Sequence, residues 1–204
     1  MAILTGPATL RRFLVVGDIP PGFRDTYRER LGEYAFRTPP VETGREEIEG
    51  WVQIHNLLDT DFTDLNRWYT DPYALFALRI DKKTLPAKLF SATLQKQVEA
   101  WCDERGMERC PPPEKTRIKE ALEHEWLRRA LPRVSVVETC WNIDQGYLVL
   151  HSLSDRVAER FRKRFHRTFG LQLVPWSPLD WVSEPDHVDS LLASAPSRLR
   201  GEGR

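Results

Sequence analysis

The chain is predicted to adopt an α+β fold, an antiparallel or mixed sheet with long helices packed on it. Three observations predict this. Short apolar runs of strand length recur along the 204 residues. Amphipathic stretches of helical period separate them, and hairpin signals join strand to strand. The resulting order is β-α-β-β-α-α-β-β-α-β, and hairpins followed by crossing helices suit such a sheet.

The elements follow in turn. Leu10 to Ile19 reads as a strand around Phe13-Leu14-Val15-Val16, ended by Gly17-Asp18. After the turn Pro20-Pro21-Gly22, Phe23 to Tyr34 fits a helix, with Phe23, Tyr27 and Leu31 spaced by four. A short extended piece surrounds Ala35–Arg37. Glu47 to Ile54 is a second strand, with Ile48, Gly50, Val52 and Ile54 on one face. Asp59 to Tyr69 reads as loop with one helical turn. Tyr73 to Ile80, nearly all apolar, is a buried strand ended by Asp81-Lys82-Lys83.

Pro86 opens a helix to Arg105, with Leu89, Phe90, Thr93, Leu94, Gln97, Val98 and Trp101 on one face and Gly106 as its stop. Pro111-Pro112-Pro113 reads as a rigid spacer. Glu114 to Ala130 is a second long helix, with a stripe of Ile118, Ala121, Leu122, Glu125 and Trp126. Val134 to Ile143 and Tyr147 to Leu153 form a hairpin about Asp144-Gln145-Gly146. Ser154-Asp155 caps a helix to Phe169, Gly170 stops it, and Leu171 to Val174 is a last strand. Residues 1–182 thus form one folded region. The tail, 183–204, is polar and expected to be partly disordered.

Hydrophobic residues are 41% and charged residues 29%, an ordinary globular balance, and seven Trp with nine Phe supply a filled core. Thirty basic residues against thirty acidic leave no net charge. That argues against binding nucleic acid through bulk charge and leaves a local basic face open. Three cysteines without paired spacings predict reduced thiols in a cytoplasmic chain. The apolar run Phe13–Val16 is too short for a signal peptide or a membrane span, so no membrane partner is expected.

No catalytic motif is found. The five histidines lack metal-site spacings, and Glu123-His124-Glu125 point in different directions on a helix. Cys102 and Cys110 lie eight residues apart, without two further ligands at matching spacing. No GxSxG, P-loop or GxGxxG pattern occurs, and no pair of carboxylates is marked as an acid–base couple. The expectation is a non-enzymatic protein with no catalytic residue, metal or cofactor.

One pattern stands out. Between Arg156 and Arg167 stand six Arg or Lys and one acid, Glu159. Arg156, Arg160, Lys163 and Arg167 share a helix face, with Arg164 at its edge. Val157, Phe161, Phe165 and Phe169 occupy a neighbouring face. An aromatic side toward the core and a basic stripe toward solvent suit phosphates along a duplex. Such a stripe also suits a solvated face paired with acids from elsewhere, and both readings stay open. A second, weaker set is Lys82, Lys83, Lys88, Lys115, Arg117, Lys119, Arg128, Arg129 and Arg133, interleaved with glutamates.

The order of several short motifs resembles the bacterial recombination-associated RdgC family. Asp81-Lys82-Lys83-Thr84-Leu85-Pro86 is similar to the family's basic strand-to-helix junction, and Lys115-Thr116-Arg117-Ile118-Lys119-Glu120 to its Lys-rich helix opening. Leu131-Pro132-Arg133, a strand with Trp141 and Asp144, its return Tyr147–Leu150, Phe169-Gly170-Leu171, Pro175 and the earlier Gly50-Trp51 follow the same pattern. The resemblance spans residues 10 to 182 and reads as a short member lacking the carboxy-terminal part. It implies sequence-independent binding of double-stranded DNA by a nucleoid-associated homodimer. Family members form rings with a positively charged hole and restrain the RecA recombinase, so a recombinase-related partner is also implied. The expected phosphate contacts are Arg156, Arg160, Lys163, Arg164 and Arg167, then Lys82, Lys83, Lys115 and Lys119. A protein-interaction module that kept the fold and lost DNA binding is the alternative, motivated by the zero net charge. A nucleic-acid-processing enzyme is a third reading.

Overall fold

A computed structural model describes residues 3, 6–38, 47–177 and 190. Apart from Ser190, the tail expected over 183–204 lies outside the described residues. The elements are β1 (Arg11–Val16), α1 (Phe23–Glu33), β2 (Glu47–Gln53), β3 (Tyr69–Thr70), β4 (Tyr73–Lys82), α2 (Ala87–Arg105), α3 (Pro112–Arg129), β5 (Arg133–Asn142), β6 (Tyr147–Leu150), α4 (Asp155–Phe169) and β7 (Gln172–Pro175). A 3-10 turn, Leu65–Arg67, precedes β3.

The α+β expectation holds, and the sheet among the described residues is antiparallel throughout. Its order is β2-β4-β5-β6-β1-β7, with β3 paired on β4. Register follows side-chain alternation. One transverse row joins Ala74, Trp141, Leu148 and Phe13, all buried. Tyr27 and Leu31 of α1 and Phe161 and Phe165 of α4 pack against this face. Tyr27 meets Phe169 edge-on at 5.0 Å, which joins the two covering helices. A smaller cluster of Phe36, Val52 and Ala77 lies apart from this core.

Among the long helices, α4 lies on the sheet, whereas α2 and α3 pack chiefly on each other. No residue of α2 is buried, and only Leu122 and Leu127 of α3 are. Phe90 and Trp126 meet edge-on at 5.6 Å across this helical hairpin. The proline run differs from the expected spacer. Pro112 and Pro113 form the first turn of α3, where an N–H would have no intrahelical partner and the fixed φ is already helical. The short strand β3 was not expected. Two residues are too few for a period, and Thr70 pairs with Tyr73 across a cis Asp71-Pro72 peptide.

Gly50 serves a close approach. A Cβ there would stand 2.3 Å from the Phe36 Cα, so only glycine lets the 34–36 segment lie against β2. Phe36 N–H donates to the Trp51 carbonyl (2.8 Å), and Trp51 N–H donates to the Tyr34 carbonyl (3.1 Å). This places Tyr34 beside α4. No helix among the described residues is long and apolar enough to cross a membrane.

Candidate nucleic-acid interface

Helix α4 is held firmly. The Ser154 hydroxyl accepts from Val157 N–H at its start, and Gly170, at φ 74°, ends it. Ala158, Phe161, Phe165 and Thr168 are buried beneath it. The Trp51 indole N–H donates to Thr168 Oγ1 (2.8 Å), and that hydroxyl donates to the Arg164 carbonyl (2.9 Å). A buried tryptophan of β2 thus fixes both the rotation and the height of the helix.

The outer face carries two kinds of cation. Arg156, Lys163 and Arg167 are exposed. Arg156 makes no ion pair among the described residues. Lys163 reaches Glu159 one turn back (2.7 Å), and this contact holds the Glu159 carboxyl below its usual range. Arg167 lies over the Tyr34 ring, 5.6 Å from its centre.

Arg160 and Arg164 correct the expectation of a stripe facing solvent throughout. Arg160 forks between Glu47 and Glu49 of β2. Partial burial opposes its charge, yet the hydrogen bonds to Glu49 and Glu47 prevail and raise its pKa. The hydrogen bond from Arg160 lowers the Glu47 pKa against the effect of burial, and Lys82 and Arg156 add to the lowering. Arg164, with 14% of its side chain exposed, donates to the carbonyls of Glu49 (2.9 Å) and Tyr34 (3.3 Å). Its guanidinium also covers the Tyr34 ring at 5.4 Å. Burial lowers its pKa despite the nearby Glu49 charge. The reason for both inward turns is the acid-bearing edge of β2, more than 100 residues away in sequence.

The second set divides likewise. Lys82 is half-buried at the end of β4, paired in register with Glu47 on one side and Arg133 on the other. It therefore joins the Arg156 end of α4. Lys83 is already engaged, because its Nζ donates to the Leu127 carbonyl (2.7 Å) in the last turn of α3. Lys115 and Lys119 are exposed on α3, on the helical hairpin rather than on α4.

Sequence reasoning missed Tyr34, Glu47 and Glu49. The spacing Glu47-x-Glu49 on a strand was the available signal, since it puts two carboxylates on one face. It gave no sign that α4 would cross there. Arg162 and His166 also line a shallow cavity of about 320 Å³ with Glu159 and Lys163. Arg162 Nε donates to the Leu173 carbonyl at 2.8 Å. Among the described residues no three His, Cys, Asp or Glu side chains converge as a metal site.

A family model described as "Putative exonuclease, RdgC" matches residues 25–188, well over half of the chain. No curated protein matches the chain.

Proposed function

This chain belongs to the RdgC family, and we propose that it binds double-stranded DNA without sequence preference. Membership ties it coarsely to recombination. The observation that carries the DNA reading is the exposed set Arg156, Lys163 and Arg167 on a helix locked to the sheet from beneath. These residues span about 16 Å at about 1.5 Å per residue. A strand of duplex offers a phosphate every ~3.4 Å of axis, so several fall within that reach. The cations act on phosphate oxygens and read no bases. Lys82 extends the track past Arg156. Arg160 and Arg164 serve as positioning residues that hold the helix.

In this reading the protein is a nucleoid-associated homodimer in the cytoplasm that restrains a recombinase by occupying its DNA. It is not an enzyme, a reading supported by the lack of any catalytic motif in the sequence. The nuclease in the family's description is the competing chemistry, and duplex cleavage dependent on added Mg²⁺ would establish it.

A protein-interaction module is the second reading. The zero net charge favours it, as does the engagement of Arg160, Arg164 and Lys83 within the fold. A gel shift at low salt separates the two. Retardation of unrelated duplexes with similar affinity is expected. No shift at micromolar protein would favour the interaction module.

A further inference from the structure

Two cysteines left aside by the DNA reading come together at the tip of the α2–α3 hairpin. Cys102 lies in the last turn of α2, and Cys110 directly precedes Pro111, which caps α3. Gly106 turns the chain in the left-handed region at φ 61°, and Met107 N–H returns to the Cys102 carbonyl (3.0 Å). Both cysteines line one cavity of about 660 Å³, shared with Val98, Met107 and Lys115. Both are free thiols and half-buried, whereas every residue from 103 to 109 between them is exposed. Cys140 sits elsewhere, in mid-sheet on β5 between Leu75 and Val149.

We propose that Cys102 and Cys110 are a redox-active dithiol that closes into an intramolecular disulfide across the hairpin tip. The reduced pair is the resting state, and the oxidant is a low-molecular-weight disulfide such as oxidised glutathione. One thiolate of the pair attacks a glutathione sulfur, forming a mixed disulfide and releasing one glutathione thiolate. The second thiolate then attacks the protein sulfur of that mixed disulfide and releases the other glutathione. Two protein thiols lose two electrons, one glutathione disulfide gains them, and the two protons pass to the glutathione thiols.

The environment sets the pace. Partial desolvation raises the Cys102 thiol pKa, and the neighbouring Cys110 and Asp103 raise it further. The thiolate is the attacking form, so closure speeds up as pH rises above neutral. Closure ties the end of α2 to the start of α3 and restrains the exposed 103–109 segment.

The full chain is incubated with excess oxidised glutathione, alkylated and digested with trypsin. Cleavage after Arg105 and Arg109 separates the peptides 97–105 and 110–115 unless a disulfide joins them. The expected result is one joined pair, two thiols lost of three, Cys140 still alkylated, and reversal by dithiothreitol. Cys110→Ser is expected to stop at the mixed disulfide on Cys102, and hydrogen exchange over 103–109 is expected to slow on oxidation of the unsubstituted protein. Three thiols surviving the treatment would overturn the proposal. A bond from either cysteine to Cys140, or one between chains in place of the joined pair, would overturn it equally.

Discussion

Replacing Arg156, Lys163 and Arg167 together with glutamine tests the proposed DNA interface most directly. All three are exposed and none has a buried partner, so the fold should stand and the melting temperature should move little. Each phosphate contact contributes about −0.9 to the slope of log K against log salt. Three contacts give a slope of about −2.7, equivalent to about a 40-fold loss of affinity between about 50 and about 200 mM salt. At the lower salt the triple variant should bind roughly three orders of magnitude more weakly, with a slope shallower by about 2.7. Fluorescence anisotropy with two duplexes of unrelated sequence reads both quantities. An unchanged slope with the melting temperature preserved would show that phosphate lies elsewhere. Including Arg160 in the set would blur the result, because its loss removes the ion-pair partner of Glu47 and the nearer partner of Glu49 at the edge of the sheet.

Arg160→Ala should destabilise the fold by roughly 1–3 kcal/mol in urea denaturation at neutral pH, and a wild-type midpoint would contradict the positioning role. The same pair predicts an acid limb. Glu47 has a lowered folded pKa, so its stabilisation is present above the unfolded glutamate value and is lost as pH falls through the folded one. Arg160→Ala should flatten that limb between neutral and acid pH. Trp51→Phe removes the indole donor to Thr168 and should cost about 1–2 kcal/mol; an unaltered denaturation curve would deny the lock between β2 and α4. Tyr27 is buried with no partner for its hydroxyl among the described residues, and burial pushes its pKa up to about 12. The unfolded chain releases this proton first, so stability contributed by neutral Tyr27 falls from about pH 10 upward. Tyr27→Phe should be neutral or stabilising at pH 7 and should reduce the alkaline loss, with denaturation at pH 7 and pH 11 as the check.

Helix α4 was legible in the sequence to the residue. Ser154 and Gly170 mark its ends by local chemistry, and its aromatics and cations repeat at helical period. The apolar run of β4, Tyr73 to Ile80, was equally plain, although the strand goes on pairing through Asp81 and Lys82, which read as its end. What stayed hidden depends on contacts distant in the chain. The pairing of Arg160 with Glu47 and Glu49 crosses more than 100 residues, and no spacing rule reaches that far. The same holds for Lys83, whose partner is a backbone carbonyl of α3 and so leaves no mark in side-chain chemistry. Helix period placed most of the α2 stripe correctly: Phe90, Thr93, Leu94, Val98 and Trp101 are half-buried, whereas Leu89 and Gln97 are exposed. It could not say that α3, rather than the sheet, would receive it.

The zero net charge and the basic helix are parts of one arrangement. A helix with five cations on one face would repel itself if all five stood free. Arg160 and Arg164 resolve this by turning inward, where Glu47 and Glu49 of β2 and the carbonyls of Glu49 and Tyr34 receive them. Lys163 is matched by Glu159. Those contacts hold the orientation that Phe161, Phe165 and the Trp51–Thr168 hydrogen bond set from below. The acids that lower the overall charge therefore fix the position of the cations that remain. Arg156 and Arg167 are left exposed at the two ends of a rigid rod, with Lys163 between them in a surface pair that a phosphate can replace, because an exposed pair is worth at most about 1 kcal/mol. A ligand meeting this face encounters a short, pre-positioned row of charge rather than a diffuse basic surface. Such a row favours contacts to evenly spaced phosphates over adaptable contacts to an acidic loop, which is why the duplex reading ranks ahead of the interaction module.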